Sequence, residues 1–309
     1  MKKISVVIPC YNEEDVIEVT YQRMNSVMKD MTEYEYELIF VNDGSKDKTL
    51  EKLMNICKSD SNSKIINFAR NFGHQIAITA GLDFATGDYI AFIDADLQDP
   101  PELIKEMVTK LEEGYNVAYG KRKKRKGETI FKKATAKAFY RVLRNLSDVD
   151  IPVDTGDFRV IDRKVADVLR NLKEKDRFIR GLVSWSGFKQ IAVEFDRDER
   201  KAGETKYTLK KMVKLSLDGI LSFSSKPLLF SVEFGIISCF ISFVFLILGL
   251  IFKFMLVPDI LIIFTILLMG GLNLMCLGII GEYIGRIYNE AKARPLYTID
   301  ELINFKDND

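Results

Sequence analysis

Only four cysteines occur in 309 residues, at positions 10, 57, 239 and 276, and none forms a CxxC pair. That spacing argues against a disulfide framework and a cysteine zinc site, and places the charged part of the chain in a reducing cytosol. An excess of either charge is also missing, since 45 Lys and Arg face 44 Asp and Glu for a net charge of +1. No GxGxxG follows the first predicted strand and no GxxxxGK(S/T) occurs. Neither a dinucleotide dehydrogenase nor a P-loop NTPase is therefore supported. The N-terminal apolar run stops at Pro9 without a small-residue cleavage site, so it reads as a buried strand and not a signal peptide.

What is present is a chain of two unlike parts. A hydrophobic content of 47% with 29% charged residues excludes a disordered or collagen-like protein. The mean hydropathy of zero averages a charged, mixed stretch over 1–227 and an apolar one beyond it. Phe234 to Phe252 is 19 residues without a charge and Ile260 to Gly281 is 22, each long enough to cross a bilayer as a helix. Core helices keep a polar stripe that these runs lack. Lys253 to Asp259, with Pro258 as breaker, joins them as a tight hairpin. Lys210, Lys211, Lys214 and Lys226 precede the hairpin, and Arg286, Lys292 and Arg294 follow it. The positive-inside rule then puts both termini in the cytoplasm of a multi-pass plasma-membrane protein. Gly270, Gly271 and Gly278 permit close helix approach, and with it a homo-oligomer.

Before the hairpin, β-rich runs at Ile4–Ile8, Tyr36–Val41, Ile65–Phe68, Tyr89–Ile93 and Asn116–Gly120 are predicted strands. Helical stretches at Glu13–Met31, Asp47–Ser59 and His74–Thr86 separate the first four. The alternation predicts βαβ units and a mostly parallel sheet, in which ligands bind beyond the carboxyl ends of the strands. Asp94 and Asp96 are two apart after a predicted strand. With Gln98 they offer three oxygen donors along one edge, which suits Mg²⁺ or Mn²⁺. The competing reading is an acidic turn capping the helix after Asp99-Pro100-Pro101-Glu102. Asp43 closes another strand and either accepts a hydrogen bond from a base or caps the turn with Gly44 and Ser45.

The ordered segments Val6-Val7-Ile8-Pro9-Cys10-Tyr11-Asn12-Glu13, Val41-Asn42-Asp43-Gly44-Ser45-Lys46-Asp47-Lys48-Thr49 and Asp94-Ala95-Asp96-Leu97-Gln98-Asp99-Pro100-Pro101-Glu102 resemble the GT-A glycosyltransferases of family 2. Arg70-Asn71-Phe72-Gly73-His74-Gln75, Thr155-Gly156-Asp157-Phe158-Arg159 and Arg200-Lys201-Ala202-Gly203-Glu204-Thr205-Lys206-Tyr207 narrow the likeness to polyprenyl-phosphate glycosyltransferases. The two-helix tail is similar to that of the bactoprenol glucosyltransferase branch. The resemblance implies an α/β, GT-A (Rossmann-like) domain followed by amphipathic interface helices and a two-helix transmembrane hairpin. It implies a nucleotide-sugar pocket lined by Pro9, Tyr11, Glu13, Asp43 and Asp94. By the same resemblance, Asp94, Asp96 and Gln98 hold Mg²⁺ or Mn²⁺ against the diphosphate.

Residues 121–146 carry eleven basic residues and one acid, with Ile130, Phe131, Ala134, Ala138, Phe139, Val142 and Leu143 at helical spacing among them. In a chain with a membrane tail, such a basic amphipathic helix lies on anionic headgroups, and nucleic acid is not the expected partner. Arg122 resembles a residue that contacts the diphosphate or the acceptor phosphate. Arg200, Thr205 and Lys206 match an RxxGxSK-type phosphate segment, with Thr205 where the family has Ser. Asp157 stands where the family places its catalytic acidic residue, and either orients the acceptor phosphate or removes its proton. His74, the only histidine, starts a predicted helix and reads as a capping or packing residue. The only tryptophan, Trp185, lies in no QxxRW, the motif of the processive polysaccharide synthases in this family.

The implied reaction is inverting, metal-dependent transfer of a single sugar from a UDP-sugar to undecaprenyl (polyprenyl) phosphate on the cytoplasmic membrane face. Its product is a lipid-linked sugar for cell-envelope glycosylation, with a flippase acting afterwards. Glucose is the first choice of sugar; N-acetylglucosamine, mannose from GDP-mannose and aminoarabinose come after it. The rival is a non-catalytic, membrane-anchored nucleotide-sugar-binding scaffold, which is expected to have lost Asp96, Gln98 or Asp157; all three are present. The expected organisation is a GT-A domain over 1–207, with its basic interface helix at about 121–146, then an amphipathic interface helix over 208–227. Two transmembrane helices follow over 228–285 (about 230–252 and 259–283), and a cytoplasmic tail over 286–309 ends the chain.

Overall fold

Ile4, Val6, Val7 and Ile8 are β-branched and fully buried, as is Ser5 between them. A strand covered on both faces by helices demands such a run, whereas a half-solvated strand would alternate. A computed structural model describes residues 1–123, 152, 155–196 and 259–305, together with 228, 232–238, 240, 241, 244 and 247. The basic stretch beyond Lys123, the segment carrying Arg200, Thr205 and Lys206, the 208–227 stretch and most of the first apolar run lie outside these residues.

The elements run β1 (Lys2–Cys10), α1 (Ile17–Asp30), β2 (Tyr34–Asn42), α2 (Thr49–Ser59), β3 (Ser63–Phe68), α3 (His74–Phe84), β4 (Tyr89–Phe92), α4 (Leu103–Glu112) and β5 (Val117–Arg122). There follow β6 (Thr155–Asp162), α5 (Arg163–Asn171), α6 (Ile179–Trp185), β7 (Gln190–Phe195), α7 (Asp259–Ala291) and β8 (Ile299–Ile303). The strands form one sheet in the order β7-β5-β6-β4-β1-β2-β3-β8. Neighbours β1/β2, β1/β4, β2/β3 and β5/β7 are parallel, while β4/β6, β5/β6 and β3/β8 are antiparallel. The expected α/β fold with a mostly parallel sheet is thus present. Its core on one face joins Val6, Ile8 and Phe40 to Met24 and Met28 of α1 and Met107 of α4. On the other face α3 lies so close to β1 that a methyl group on Gly81 would collide with Val7.

The chain divides into two units. One holds Met1–Tyr140, Val149–Leu209 and Pro295–Asp309; the other holds Arg141–Asp148 and Lys210–Arg294. In the second, α7 is 33 residues long and runs past the end of the predicted span. Over Leu268–Ala291 it is long and apolar enough to cross a membrane, and among the described residues it is the one such helix. Ile266, Leu274, Met275, Leu277, Ile284 and Ile287 are all exposed on it. Nothing in the pattern of residues 286–309 predicts a strand, yet Ile299–Ile303 is an edge strand, antiparallel to β3.

At the amino-terminal half of the sheet a buried carboxylate ties the strands together. Glu37 of β2, 1% exposed, accepts hydrogen bonds from Ser5 Oγ (2.5 Å), Lys64 Nζ (2.7 Å), Lys3 Nζ (2.9 Å) and the Thr86 N–H (2.9 Å). Burial opposes its charge, but these donors outweigh burial and hold its pKa at about 2, against an ordinary 4.5. A depressed folded-state pKa stabilises the fold fully above the unfolded value, and that stability is lost as pH falls from about 4.5 towards 2. The shift corresponds to a contribution on the order of 3 kcal/mol near neutral pH. Thermal unfolding of the wild type is therefore expected to lose more stability between pH 5 and pH 3 than that of Glu37→Gln. Parallel pH dependence in the two proteins would contradict the assignment.

Candidate active site

The strand order turns at β1, which has β2 on one side and β4 on the other, both parallel to it. The crevice outside the carboxyl ends at such a switch point is where open α/β sheets bind ligands. The loops after β1 and β2 are stitched together there. Asn12, in the left-handed conformation at φ 53°, receives a hydrogen bond at Oδ1 from the Lys46 N–H (2.9 Å), and its own N–H donates to Ser45 Oγ (3.0 Å). The Glu13 N–H donates to Thr49 Oγ1 at 2.8 Å. Pro9 is buried beneath this rim, Tyr11 is exposed on it and Glu13 is half-buried.

Asp43, at the end of β2, is buried and faces the start of α3. Its Oδ1 accepts from the Phe72 N–H (2.6 Å), and its Oδ2 from the Gly73 N–H (2.9 Å) and Asn71 Nδ2 (2.9 Å). A helix amino terminus with unpaired amides is a natural seat for a carboxylate. Three of the roughly four acceptor positions of the carboxylate are thereby used, and one is left for an incoming N–H. Burial raises the Asp43 pKa, and the Phe72 and Gly73 amides offset part of that rise. Gly44 has φ +63°, and a Cβ there would lie 2.5 Å from the Arg70 carbonyl carbon and the Asn71 nitrogen, so only glycine lets the two loops meet.

After β4 the predicted alternation is realised: Asp94, Asp96 and Gln98 are half-buried on the open side, while Ala95, Leu97 and Asp99 point inward and are buried. Thr20 Oγ1 of α1 donates to the Ala95 carbonyl at 2.7 Å, which fixes the loop between the two carboxylates. Leu97 takes φ 57°, a conformation that costs a branched residue on the order of 1 kcal/mol or more. Two carboxylates and an amide are hard oxygen donors, and the neighbouring charge of Asp157 adds to the negative surplus. That chemistry fits a divalent cation. Among the described residues no three His, Cys, Asp or Glu side chains close into a cage. Burial, and then the charges of Asp157 and Asp96, raise the Asp94 pKa, against the pull of His74.

Asp157, on β6, is held by three side chains. Its Oδ2 accepts from Gln75 Nε2 at 3.0 Å and faces His74 Nε2 at 3.3 Å; its Oδ1 lies 3.1 Å from Arg180 Nε. The Arg180 contact is an ion pair outside hydrogen-bond geometry. His74 Nε2 also lies 3.3 Å from Asp94 Oδ1, so one ring bridges the two carboxylates. Gln75 accepts the Ile179 N–H at 2.9 Å with its Oε1, which ties α6, and so Arg180, to the first turn of α3. Burial works against the imidazolium, but Asp94 and then Asp157 outweigh it and lift His74 to about 9. Burial likewise opposes the Asp157 charge; Arg180 first and His74 next hold that carboxyl well below the usual carboxylate range. Arg122 lies beside Gly156, with a guanidinium nitrogen 3.6 Å from Asp99 Oδ1.

Residues 5–170 match the family profile described as Glycosyl transferase family 2, more than half of the chain. The chain belongs to glycosyl transferase family 2. As a member it is a glycosyltransferase, and the resemblance carried by its loop motifs holds. An uncharacterized glycosyltransferase of Bacillus subtilis is 58% identical over 301 residues, covering 96% of this chain and 93% of its own length. The prophage bactoprenol glucosyl transferase homolog of Escherichia coli K12 is 39% identical over 303 residues, 96% of this chain and 98% of its own. The bactoprenol glucosyl transferase of Shigella phage SfX is 38% identical over 307 residues, with the same two coverages.

In this family 2 enzyme the fold gathers Pro9, Tyr11, Glu13, Asp43, Asp94, Asp96, Gln98, Arg122 and Asp157 at one end of the sheet; Arg200, Thr205 and Lys206 fall outside the described residues. His74 requires a correction. Gly73 is the residue that caps the amino end of α3, without a side-chain hydrogen bond, and beyond packing there the His74 ring bridges Asp94 and Asp157. Arg180 and Gln75 are further rim residues that sequence reasoning missed. Gln75 is the last residue of the quoted Arg70–Gln75 segment, which is a signal; Arg180 lies in α6 with none.

Proposed function

We propose that this glycosyltransferase transfers one sugar from a UDP-sugar to a polyprenyl phosphate at a membrane surface, with inversion at the anomeric carbon. The observation that carries the reading is the row of carboxylates at the sheet's switch point, ending in an Asp157 already neutralised by Arg180 and His74. Near full-length similarity to bactoprenol glucosyl transferases supports the acceptor class and makes glucose the first candidate sugar. UDP-N-acetylglucosamine and GDP-mannose are the alternative donors. Helix α7 supports membrane attachment; a second span before it and cytoplasmic termini complete the proposed topology.

In this reading Pro9, Tyr11, Glu13 and Asp43 hold the nucleoside, with the free acceptor position of Asp43 taking a base N–H. Asp94, Asp96 and Gln98 hold Mg²⁺ or Mn²⁺ beside the diphosphate, and when bound the ion neutralises charge on the leaving group. Arg122 and Arg200 each add a guanidinium for a phosphate oxygen, and Lys206 adds an ammonium beside the Thr205 hydroxyl. A phosphate oxygen of the acceptor attacks the anomeric carbon, a new C–O bond forms, and the bond to the UDP oxygen breaks on the opposite face. A phosphomonoester has its second pKa near about 6 and is a dianion at neutral pH, so it needs placing more than deprotonating. A carboxylate held far below its usual pKa is a poor proton acceptor. Asp157 is therefore an orienting group, acting with Arg180 and His74 on the incoming phosphate.

The test incubates the full chain in detergent with undecaprenyl phosphate, Mg²⁺ or Mn²⁺ and radiolabelled UDP-glucose or UDP-N-acetylglucosamine. Label is expected in the organic phase with one donor. A protein that binds UDP but labels no lipid from any donor would overturn the acceptor assignment; one that binds no UDP would overturn the pocket.

A further inference from the structure

We propose that the C-terminal segment 295–305 is a working part of the donor pocket, because it positions the loop over 69–73 that grips Asp43. The proposal rests on the assignment of Asp43 to the nucleoside. Strand β8 pairs with β3 from Ile65↔Ile303 to Phe68↔Ile299. The pairing continues one residue into the loop, where the Ala69 N–H donates to the Thr298 carbonyl at 3.1 Å.

From this edge two lines of side chains converge on residue 43. The first is aromatic. The Tyr297 ring stacks on Phe68 with centroids 5.2 Å apart at 18°, and Phe68 meets Phe72 edge-on at 5.5 Å. Phe72 is the residue whose N–H donates to Asp43 Oδ1 at 2.6 Å. The Tyr297 hydroxyl anchors the stack by donating to Asp83 Oδ2 of α3 at 2.8 Å. The second line is polar. Asp300 Oδ2 accepts from Asn67 Nδ2 (3.1 Å), and Asn67 Oδ1 accepts from buried Asn42 Nδ2 (2.8 Å), the residue before Asp43.

A strand that only protected a sheet edge would need its backbone ladder and no more. Here the side chains reach past the ladder to both sides of one carboxylate. Without the Tyr297 ring, Phe68 loses one wall of its packing, Phe72 is left against a looser ring, and the amides on Asp43 gain freedom. That freedom must then be lost when the nucleotide binds, which weakens binding and leaves the bound complex unchanged. Tyr297, with Asp300, is therefore a positioning residue for the donor.

The experiment uses the full chain in detergent, titrates UDP by calorimetry and measures donor KM and kcat, with all variants kept well below their unfolding temperatures. Tyr297→Ala is expected to raise the UDP Kd and the donor KM together by about tenfold and to leave kcat within about twofold. Tyr297→Phe keeps the ring and is expected to stay within about twofold of wild type throughout. Asp43→Ala serves as the reference for the pocket itself. If Asp43→Ala loses UDP binding while Tyr297→Ala binds as wild type does, the positioning role is overturned. If Tyr297→Ala lowers kcat at unchanged KM, the segment is only a structural support and the proposal falls. If Asp43→Ala binds UDP normally, the pocket assignment fails, and the proposal that rests on it fails too.

Discussion

Asp157→Asn is expected to reduce sugar transfer by at least about 100-fold while UDP affinity stays within about twofold. The substitution is isosteric, and Gln75, which donates to Oδ2 at 3.0 Å, retains an oxygen to donate to. What disappears is the negative charge that Arg180 and His74 face at 3.1 and 3.3 Å. Without it these two cations, no longer balanced, repel each other and move, and an acceptor phosphate meets a displaced set of donors. Misplacement of this kind acts on the transition state, where reacting atoms must be aligned. The proposed nucleoside contacts lie elsewhere on the rim, around Asp43 and Tyr11, so donor binding is expected to be spared. Calorimetry with UDP and organic-phase label counting on the same preparation check both halves. Turnover within threefold of wild type would remove Asp157 from the site. The pH profile separates orientation from base catalysis: with Asp157 ionised throughout, the wild-type rate rises through pH about 6 with the second ionisation of the acceptor.

Removal of divalent metal is expected to be at least as damaging. EDTA should lower turnover by roughly 1000-fold, equivalent to about 4 kcal/mol of lost charge stabilisation on the departing diphosphate. Mg²⁺ or Mn²⁺ should restore it. The reason lies in the crowding of charge after β4: Asp94 and Asp96 are half-buried on the same side of their loop, next to Asp157. Adding a nucleoside diphosphate to that surface without a cation sets like charges against one another. Asp96→Ala is expected to resist rescue at metal concentrations that restore the wild type. Undiminished turnover in EDTA would show that the protein's own cations, His74 and Arg122 foremost, stabilise the leaving group unaided.

Much of the fold could be read along the chain because the determining patterns are local. Ile4 to Ile8 is apolar but for Ser5 and does not alternate, so a doubly covered strand follows from the run itself. Asp94, Asp96 and Gln98 stand two apart, a period that places them on one side, and the alternation of burial persists although the chain turns over Ala95–Leu97, with Leu97 at φ 57°. Helix α7 is legible for the same reason: a long apolar run needs no partner to declare itself. The Asp43 environment was half legible. A strand end followed by Gly44 marks a turn, yet the choice between capping its own loop and seating on α3 depended on another segment. The structure adds a third role beside the base contact and the turn cap: the Asp43 carboxylate is bound by Asn71, Phe72 and Gly73, some 28 to 30 residues away.

The sequence by itself determined the βαβ alternation, the loops that carry chemistry, the apolar helix and the family. Each is written in residues only a few positions apart. The tertiary structure alone decided that His74 bridges Asp94 and Asp157, that Arg180 joins them from α6, and that Ile299–Ile303 closes the sheet beside β3. The Gln75–Asp157 bond spans 82 positions and the Asn67–Asp300 bond 233, and no spacing rule reaches that far. Ile299-Asp300-Glu301-Leu302-Ile303 also carries too little apolar pattern to declare a strand. Lying at an edge with one partner strand, it needs only one good side, and that side is chosen by the fold it lands on.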